Sequence, residues 1–160
     1  MSFRMTKAEE NARRAMRQRQ DHAMENAEDY VELIQDLQQE IGAAHKSDIA
    51  TRLGVSHVTV HKTINRLKSI GLVNAESYRA VSLTEEGKKL AEESRRRHQL
   101  VLHFLQHLGV PQAAAEEDAE GIEHHVSKDT LKAMRRFIKA MEKDGAFTQS
   151  GAEKKGGKDK

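Results

Sequence analysis

The stretch from Ser47 to Gly71, SDIATRLGVSHVTVHKTINRLKSIG, decides the fold. It reads as a short helix, a glycine-bearing turn and a second helix. Ser47 is a suitable N-cap for the first helix, which carries Ile49, Ala50 and Leu53 on its apolar side. Gly54 supplies the backbone freedom of a tight turn. Ser56 caps the second helix, whose inward side is Val60, Ile64 and Leu67 at helical spacing. Ala50 is small where the two helices must cross closely, and Val55 and Val60 fill the angle between them. A compact helix-turn-helix requires this pattern.

Immediately downstream, Leu72 to Leu83 is too short and mixed for another long helix. Val73, Tyr78, Val81 and Leu83 fit two short strands around a tip near Ser77 to Ala80, the place where a wing is expected. Upstream, Tyr30, Leu33, Ile34, Leu37 and Ile41 form one helical stripe that ends at Gly42. Downstream, Thr84 caps a long helix to about His107 whose middle, Glu92 to His98, is almost wholly polar. A break at Gly109-Val110-Pro111 precedes a helix to about Val126. Ser127 caps the last helix, with Leu131, Met134, Phe137, Ile138 and Met141 as its stripe. The expected fold is mostly α with a small β wing: a winged helix-turn-helix over 26–88 followed by a helical region over 89–144, with a flexible basic arm over 1–25 and a disordered tail over 145–160.

The composition narrows the function. The chain has 160 residues, a formal net charge of +2 and no cysteine. Disulfides and thiolate metal ligands are therefore excluded. No apolar run approaches membrane-spanning length, and the basic start lacks the apolar run of a secretory signal, so the cytoplasm is the expected compartment. A charge of +2 is too small for a nucleic-acid reading to rest on bulk charge; it rests on where cations sit. Basic residues gather at the start (Arg4, Lys7, Arg13, Arg14, Arg17, Arg19) and in the tail.

Helix geometry sorts the second helix of the motif by face. His57, Val58 and Thr59 lie in its first turn, where recognition helices reach base edges. The methyl groups of Val58 and Thr59 suit thymine, and His57 can donate or accept in the major groove. Lys62 and Arg66, further along, suit phosphates, and Arg79 at the wing tip suits a phosphate or the minor groove. With Ser47 and Ser56 at the helix starts, these form the candidate DNA-binding set.

A second constellation carries different chemistry. In Glu120-Gly-Ile-Glu-His-His125, the side chains of Glu120, Glu123 and His124 stand at i, i+3 and i+4, on one helical face. Asp29 and Glu32 are again three apart on the first periodic helix, and His98 lies on the polar middle of the long one. Four carboxylates and two imidazoles without sulfur suit manganese or ferrous iron. Four such carboxylates drawn together would repel one another unless divalent ions balanced them. Acidic pairs on solvated helix faces are also common, and that alternative stays open at this point. His22, His45, His103 and His107 lack carboxylates at ligand spacing and read as structural or solvent-facing, with His125 at the surface or behind a ligand.

On these residues the chain resembles the manganese-responsive transport repressors of the iron- and diphtheria-toxin-repressor superfamily. The likeness covers about residues 26–144. It is strongest in Glu28-Asp29-Tyr30-Val31-Glu32, in 47–71, in Arg97-His98-Gln99 and in Asp118 to His125. It implies that 26–88 is a winged helix-turn-helix DNA-binding domain and 89–144 a helical metal-binding and dimerisation domain, in a homodimer that binds a palindromic operator in double-stranded DNA when metal is bound and represses metal-ion transport genes. It places the family's ligands on Asp29, Glu32, His98, Glu120, Glu123 and His124, and implies two Mn(2+) ions per subunit. Iron-responsive members tend to carry methionine at the place of Asp29 and cysteine or methionine at that of Glu123. Oxygen ligands at both favour manganese, with Fe(2+) as the alternative ion. Iron-responsive members also tend to carry a third domain, for which this chain ends too soon. The arm of about 25 residues resembles that of an enterobacterial-type branch. Two other functions compete: a metal-independent, small-molecule-responsive winged-helix regulator, and a dimetal enzyme, for which no nucleophile stands out.

Overall fold

A computed structural model describes residues 6–76 and 79–143. Among these residues, six helices and one small sheet follow one another: α1 (Lys7–Ile41), α2 (Lys46–Leu53), α3 (His57–Ser69), β1 (Val73–Asn74), β2 (Ser82–Leu83), α4 (Glu85–His107), α5 (Gln112–Glu123) and α6 (Lys128–Lys143). No helix is long and apolar enough to cross a membrane among the described residues.

The first core explains the reading head. Tyr30, Val31, Ile34 and Leu37 of α1 meet Ile49 and Ala50 of α2, Val60, Ile64 and Leu67 of α3, and Val73, Val81 and Leu83 of the wing. The strands pair antiparallel with Val73 opposite Leu83. Val81 N–H also donates to the Ala44 carbonyl at 2.8 Å, so the wing is stitched to the segment before α2. Of the wing residues read from the sequence, Ser77 and Tyr78 lie outside the described residues.

One glycine is required by close approach. A Cβ on Gly87 would lie 2.1 Å from the Leu72 carbonyl oxygen. Here α4 begins against the backbone that leads into the wing. Thr84 fixes this junction: its hydroxyl donates to the Gly71 carbonyl at 2.6 Å and accepts from Gly87 N–H at 3.1 Å. The helix α4 then leaves the first core, to which it gives Ala91, and enters a second. There Val101 and Leu102 pack with Ala115 and Ala119 of α5 and Met134 of α6. Phe104 and Phe137 meet edge to face, with ring centroids 5.3 Å apart.

Three features differ from the sequence reading. Residues 7–25, expected as a flexible arm, are helical and continue α1 without a break. Thr6 and Glu9 close a capping box, and no glycine or proline interrupts the run of good helix formers before Gly42, whose φ of 80° ends the helix. The N-cap of α2 is His45, not Ser47. His45 N–H donates to the Asp48 carboxylate at 3.3 Å, which starts the helix two residues early. Arg66 turns away from the exposed face of α3: its guanidinium donates to the Ala23 carbonyl at 3.2 Å and to Asn26 Oδ1 at 3.0 Å, tying α3 to α1. The expected tail over 145–160 lies outside the described residues.

Candidate metal centre and reading helix

Three elements converge beside the first core. The helix α1 brings Asp29 and Glu32, α4 brings His98, and the end of α5 brings Glu120, Glu123 and His124. Ligand atoms of Asp29, Glu120 and His124 all lie within 4.8 Å of one another, and so do those of His98, Glu120 and Glu123. Glu120 thus belongs to two adjoining triads. His98 Nδ1 is 3.1 Å from Glu123 Oε2 and 3.6 Å from Glu120 Oε2. His124 Nε2 is 3.4 Å from Glu123 Oε1 and 3.8 Å from Asp29 Oδ1. Glu32 enters neither triad, but its negative charge is felt by both Asp29 and Glu123.

The electrostatics are those of a site short of positive charge. Burial pushes Asp29 up to about 6, with His124 opposing and Glu120, Glu25 and Glu32 adding to the rise. Burial pushes Glu123 up to about 8, against the pull of His124 and Arg97. Burial also works against a charged His124, yet its hydrogen bond to Glu28 and the nearby carboxylates prevail and raise it. Glu123 has a side-chain exposure of 3%, and although His98 Nδ1 lies 3.1 Å from its buried Oε2, that oxygen accepts no aligned hydrogen bond. A buried carboxylate oxygen left without a hydrogen bond is costly unless a cation completes it. With oxygen and imidazole donors and no sulfur, the residues present fit a hard divalent ion.

The neighbourhood holds groups outside the sequence-derived set. Glu28 is buried and accepts from His124 and from Arg97. Its signal was available: it lies three residues before Val31 on the apolar stripe of α1, and a carboxylate there needs a partner. His22, read as lacking a carboxylate at ligand spacing, stands 3.4 Å from Glu25 across one helical turn. His125 is exposed.

The candidate DNA residues divide. His57, Val58, Thr59 and Lys62 are exposed on α3, with Val58 at 63%. Ser56 is the N-cap: its hydroxyl accepts from Thr59 N–H at 3.1 Å and lies 2.9 Å from Thr59 Oγ1. Ser47 is exposed on α2, away from its expected capping role. Arg79, at the exposed wing, is 3.1 Å from Glu76.

A winged helix joined through its first and fourth helices to a carboxylate–imidazole site defines a metal-responsive DNA-binding regulator. Two family models match in succession: residues 22–81 match the iron dependent repressor N-terminal DNA binding domain, and residues 84–146 its metal binding and dimerisation domain. The chain belongs to the iron-dependent repressor family, and is a regulator rather than an enzyme. Among its relatives, the transcriptional regulator MntR of Escherichia coli O6:H1 is 54% identical over 119 residues, covering 74% of this chain and 77% of that protein. The HTH-type transcriptional regulator MntR of Bacillus subtilis is 37% identical, covering 74% and 84%. A solved structure described as a manganese-dependent transcriptional repressor complex with manganese superposes with a TM-score of 0.63 at 31% identity, covering 71% of this chain. The structure of the manganese regulator SloR does so with 0.61 at 28%, again over 71%. This chain spans about half the length of those two solved proteins, 52% and 53%.

Proposed function

We propose that this chain is a manganese-responsive repressor that binds a palindromic operator as a metal-loaded homodimer in the cytoplasm and acts on metal-ion transport genes. The observation that carries the reading is the sharing of Glu120 between two triads drawn from both ends of the molecule. Two adjoining triads support two ions per subunit. Asp29, Glu120 and His124 would hold one, and His98, Glu120 and Glu123 the other, with Glu32 adding negative charge felt at both Asp29 and Glu123. Oxygen donors at Asp29 and Glu123 favour manganese, in keeping with the manganese named for the solved relatives. Divalent ions would supply the positive charge that four crowded carboxylates lack.

The chain's own residues convert that charge into spacing. Asp29 sits on α1, whose apolar stripe builds the reading head around α3. Glu120, Glu123 and His124 sit on α5, which packs in the second core. Drawing these groups together fixes the head against the dimerisation domain, and so fixes the distance between two recognition helices on successive turns of DNA. His57, Val58 and Thr59 then face base edges, while Lys62 and Arg79 face the backbone. Fluorescence anisotropy of operator-containing DNA, across Mn(II) and Fe(II) series with chelator as baseline, tests the reading. Tight sequence-specific binding in chelator would end it.

A further inference from the structure

One buried carboxylate at the centre belongs to neither triad. Glu28 is 5% exposed. Its Oε2 accepts from Arg97 Nη2 at 2.6 Å and lies 2.8 Å from His124 Nδ1. Arg97 Nη2 also donates to Ser94 Oγ at 3.0 Å, and Ser94 is fully buried on α4. One oxygen of α1 thus joins a guanidinium of α4 and an imidazole at the end of α5. Glu28 and Asp29 are neighbours on α1, about 100° apart around the helix, so they reach opposite nitrogens of the same ring.

We propose that Glu28 is a positioning residue of the metal centre: by taking the Nδ1 proton of His124 in a hydrogen bond, it turns Nε2 toward Asp29 and Glu123. The inference rests on the metal reading above. A neutral imidazole carries one N–H, so a donating Nδ1 leaves its lone pair on Nε2, the atom a cation needs. Nε2 is the nitrogen that faces the carboxylates, 3.4 Å from Glu123 and 3.8 Å from Asp29. Arg97 has a separate task. A further carboxylate charge here would add to the repulsion among the candidate ligands, and the guanidinium offsets it. Ser94 holds the guanidinium in place. The ring is therefore aimed before any ion arrives, by contacts among side chains alone.

The full-length protein tests this in two ways. Long-range proton–nitrogen NMR on histidine-labelled, metal-free protein in mildly alkaline buffer reads the tautomer, with the His124 signal assigned by its loss in His124→Ala. The wild type should carry the proton on Nδ1, and Glu28→Ala should lose that preference. Titration of free Mn(II) by electron paramagnetic resonance reads affinity, which should fall by ~10–100-fold in Glu28→Ala, the range for outer hydrogen-bond partners. Glu28→Gln, whose carbonyl oxygen still accepts from Nδ1, should keep the tautomer and most of the affinity. A wild-type ring protonated on Nε2, or Glu28→Ala with unchanged affinity, overturns the inference. So does Glu28→Gln falling as far as Glu28→Ala with its tautomer intact, since charge rather than aim would then be at work. If His124→Ala itself binds Mn(II) normally, it is the metal reading that fails; if that variant loses binding while Glu28→Ala does not, only the positioning role fails.

Discussion

His98 Nδ1 stands 3.1 Å from Glu123 Oε2, across the packed faces of α4 and α5. Glu123 is the most deeply buried carboxylate of the centre, and its burial is only partly answered by His124 and Arg97. Glu123→Gln keeps the shape of the side chain and removes the cost of charging it. The metal-free variant should therefore melt at or above the wild-type temperature, while its rise in melting temperature on adding Mn(II) should largely vanish. Differential scanning fluorimetry with and without Mn(II) measures both. A lower metal-free melting temperature with a wild-type response to Mn(II) would contradict the assignment.

The same burial fixes a pH dependence. Asp29 is raised from 3.8 to about 6 and Glu123 from 4.5 to about 8. The folded metal-free protein thus holds more protons than the unfolded chain in those windows, and His124, also raised, acts in the same direction. Stability from these groups falls as pH rises through the windows and levels off above about 8. Metal binding has the opposite slope. The ligands must shed these protons, so Mn(II) affinity should climb between about pH 6 and 8 and binding should release protons at neutrality. Calorimetry in buffers of different ionisation enthalpy counts them. No release at pH 7 would show that the carboxylates are already charged in the free protein.

Much of this was legible in sequence because it follows from period and punctuation. The stripe Val60, Ile64, Leu67, the turn at Gly54 and the cap at Ser56 are local signals, and the helix-turn-helix follows from them. Glu120, Glu123 and His124 share a face by spacing alone, and the structure adds Asp29 and His98 from distant segments. What was hidden depends on long-range packing. The helical state of residues 7–25 has no apolar stripe to announce it. Arg66 has the spacing of a phosphate ligand, and only the docking of α1 shows that Ala23 and Asn26 hold it. For Glu28 the stripe of α1 announces the burial, but its partners Arg97 and His124, 69 and 96 residues away, appear only in the fold.

The reading helix makes a prediction that separates base contact from backbone contact. Lys62 is exposed on α3, one turn beyond Val58. If it meets phosphate, Lys62→Ala should weaken operator and non-specific DNA alike, and lower the salt slope by ~0.9 per subunit. Val58→Ala should leave the slope alone and cost affinity only for sites with thymine at the contacted position, by ~1 kcal/mol, the scale of one or two methyl groups taken out of an apolar contact. Anisotropy titrations at several salt concentrations distinguish the two. A Lys62→Ala slope equal to that of the wild type would remove Lys62 from the backbone set.

The junction of α4 with the wing gives a prediction independent of metal and DNA. Gly87 lies in the first turn of α4, and its Cα faces the Leu72 carbonyl so closely that a Cβ would stand 2.1 Å from that oxygen. The same carbonyl accepts from Thr84 N–H at 3.0 Å, so it cannot swing aside without releasing the cap that starts the helix. Alanine favours a helix over glycine by ~1 kcal/mol in intrinsic preference. Overpacking against fixed backbone costs ~1–3 kcal/mol and works against that gain. Because the clash is with main chain rather than a flexible side chain, strain should win. Gly87→Ala should lower the midpoint of chemical unfolding, and Gly87→Val should lower it further. The damage should be greatest where Leu72 leads into β1, so amide exchange at Val73 and Thr84 should speed up more than at Val101 in the second core. A Gly87→Ala protein as stable as the wild type would mean that α4 can draw back from Leu72 without loss.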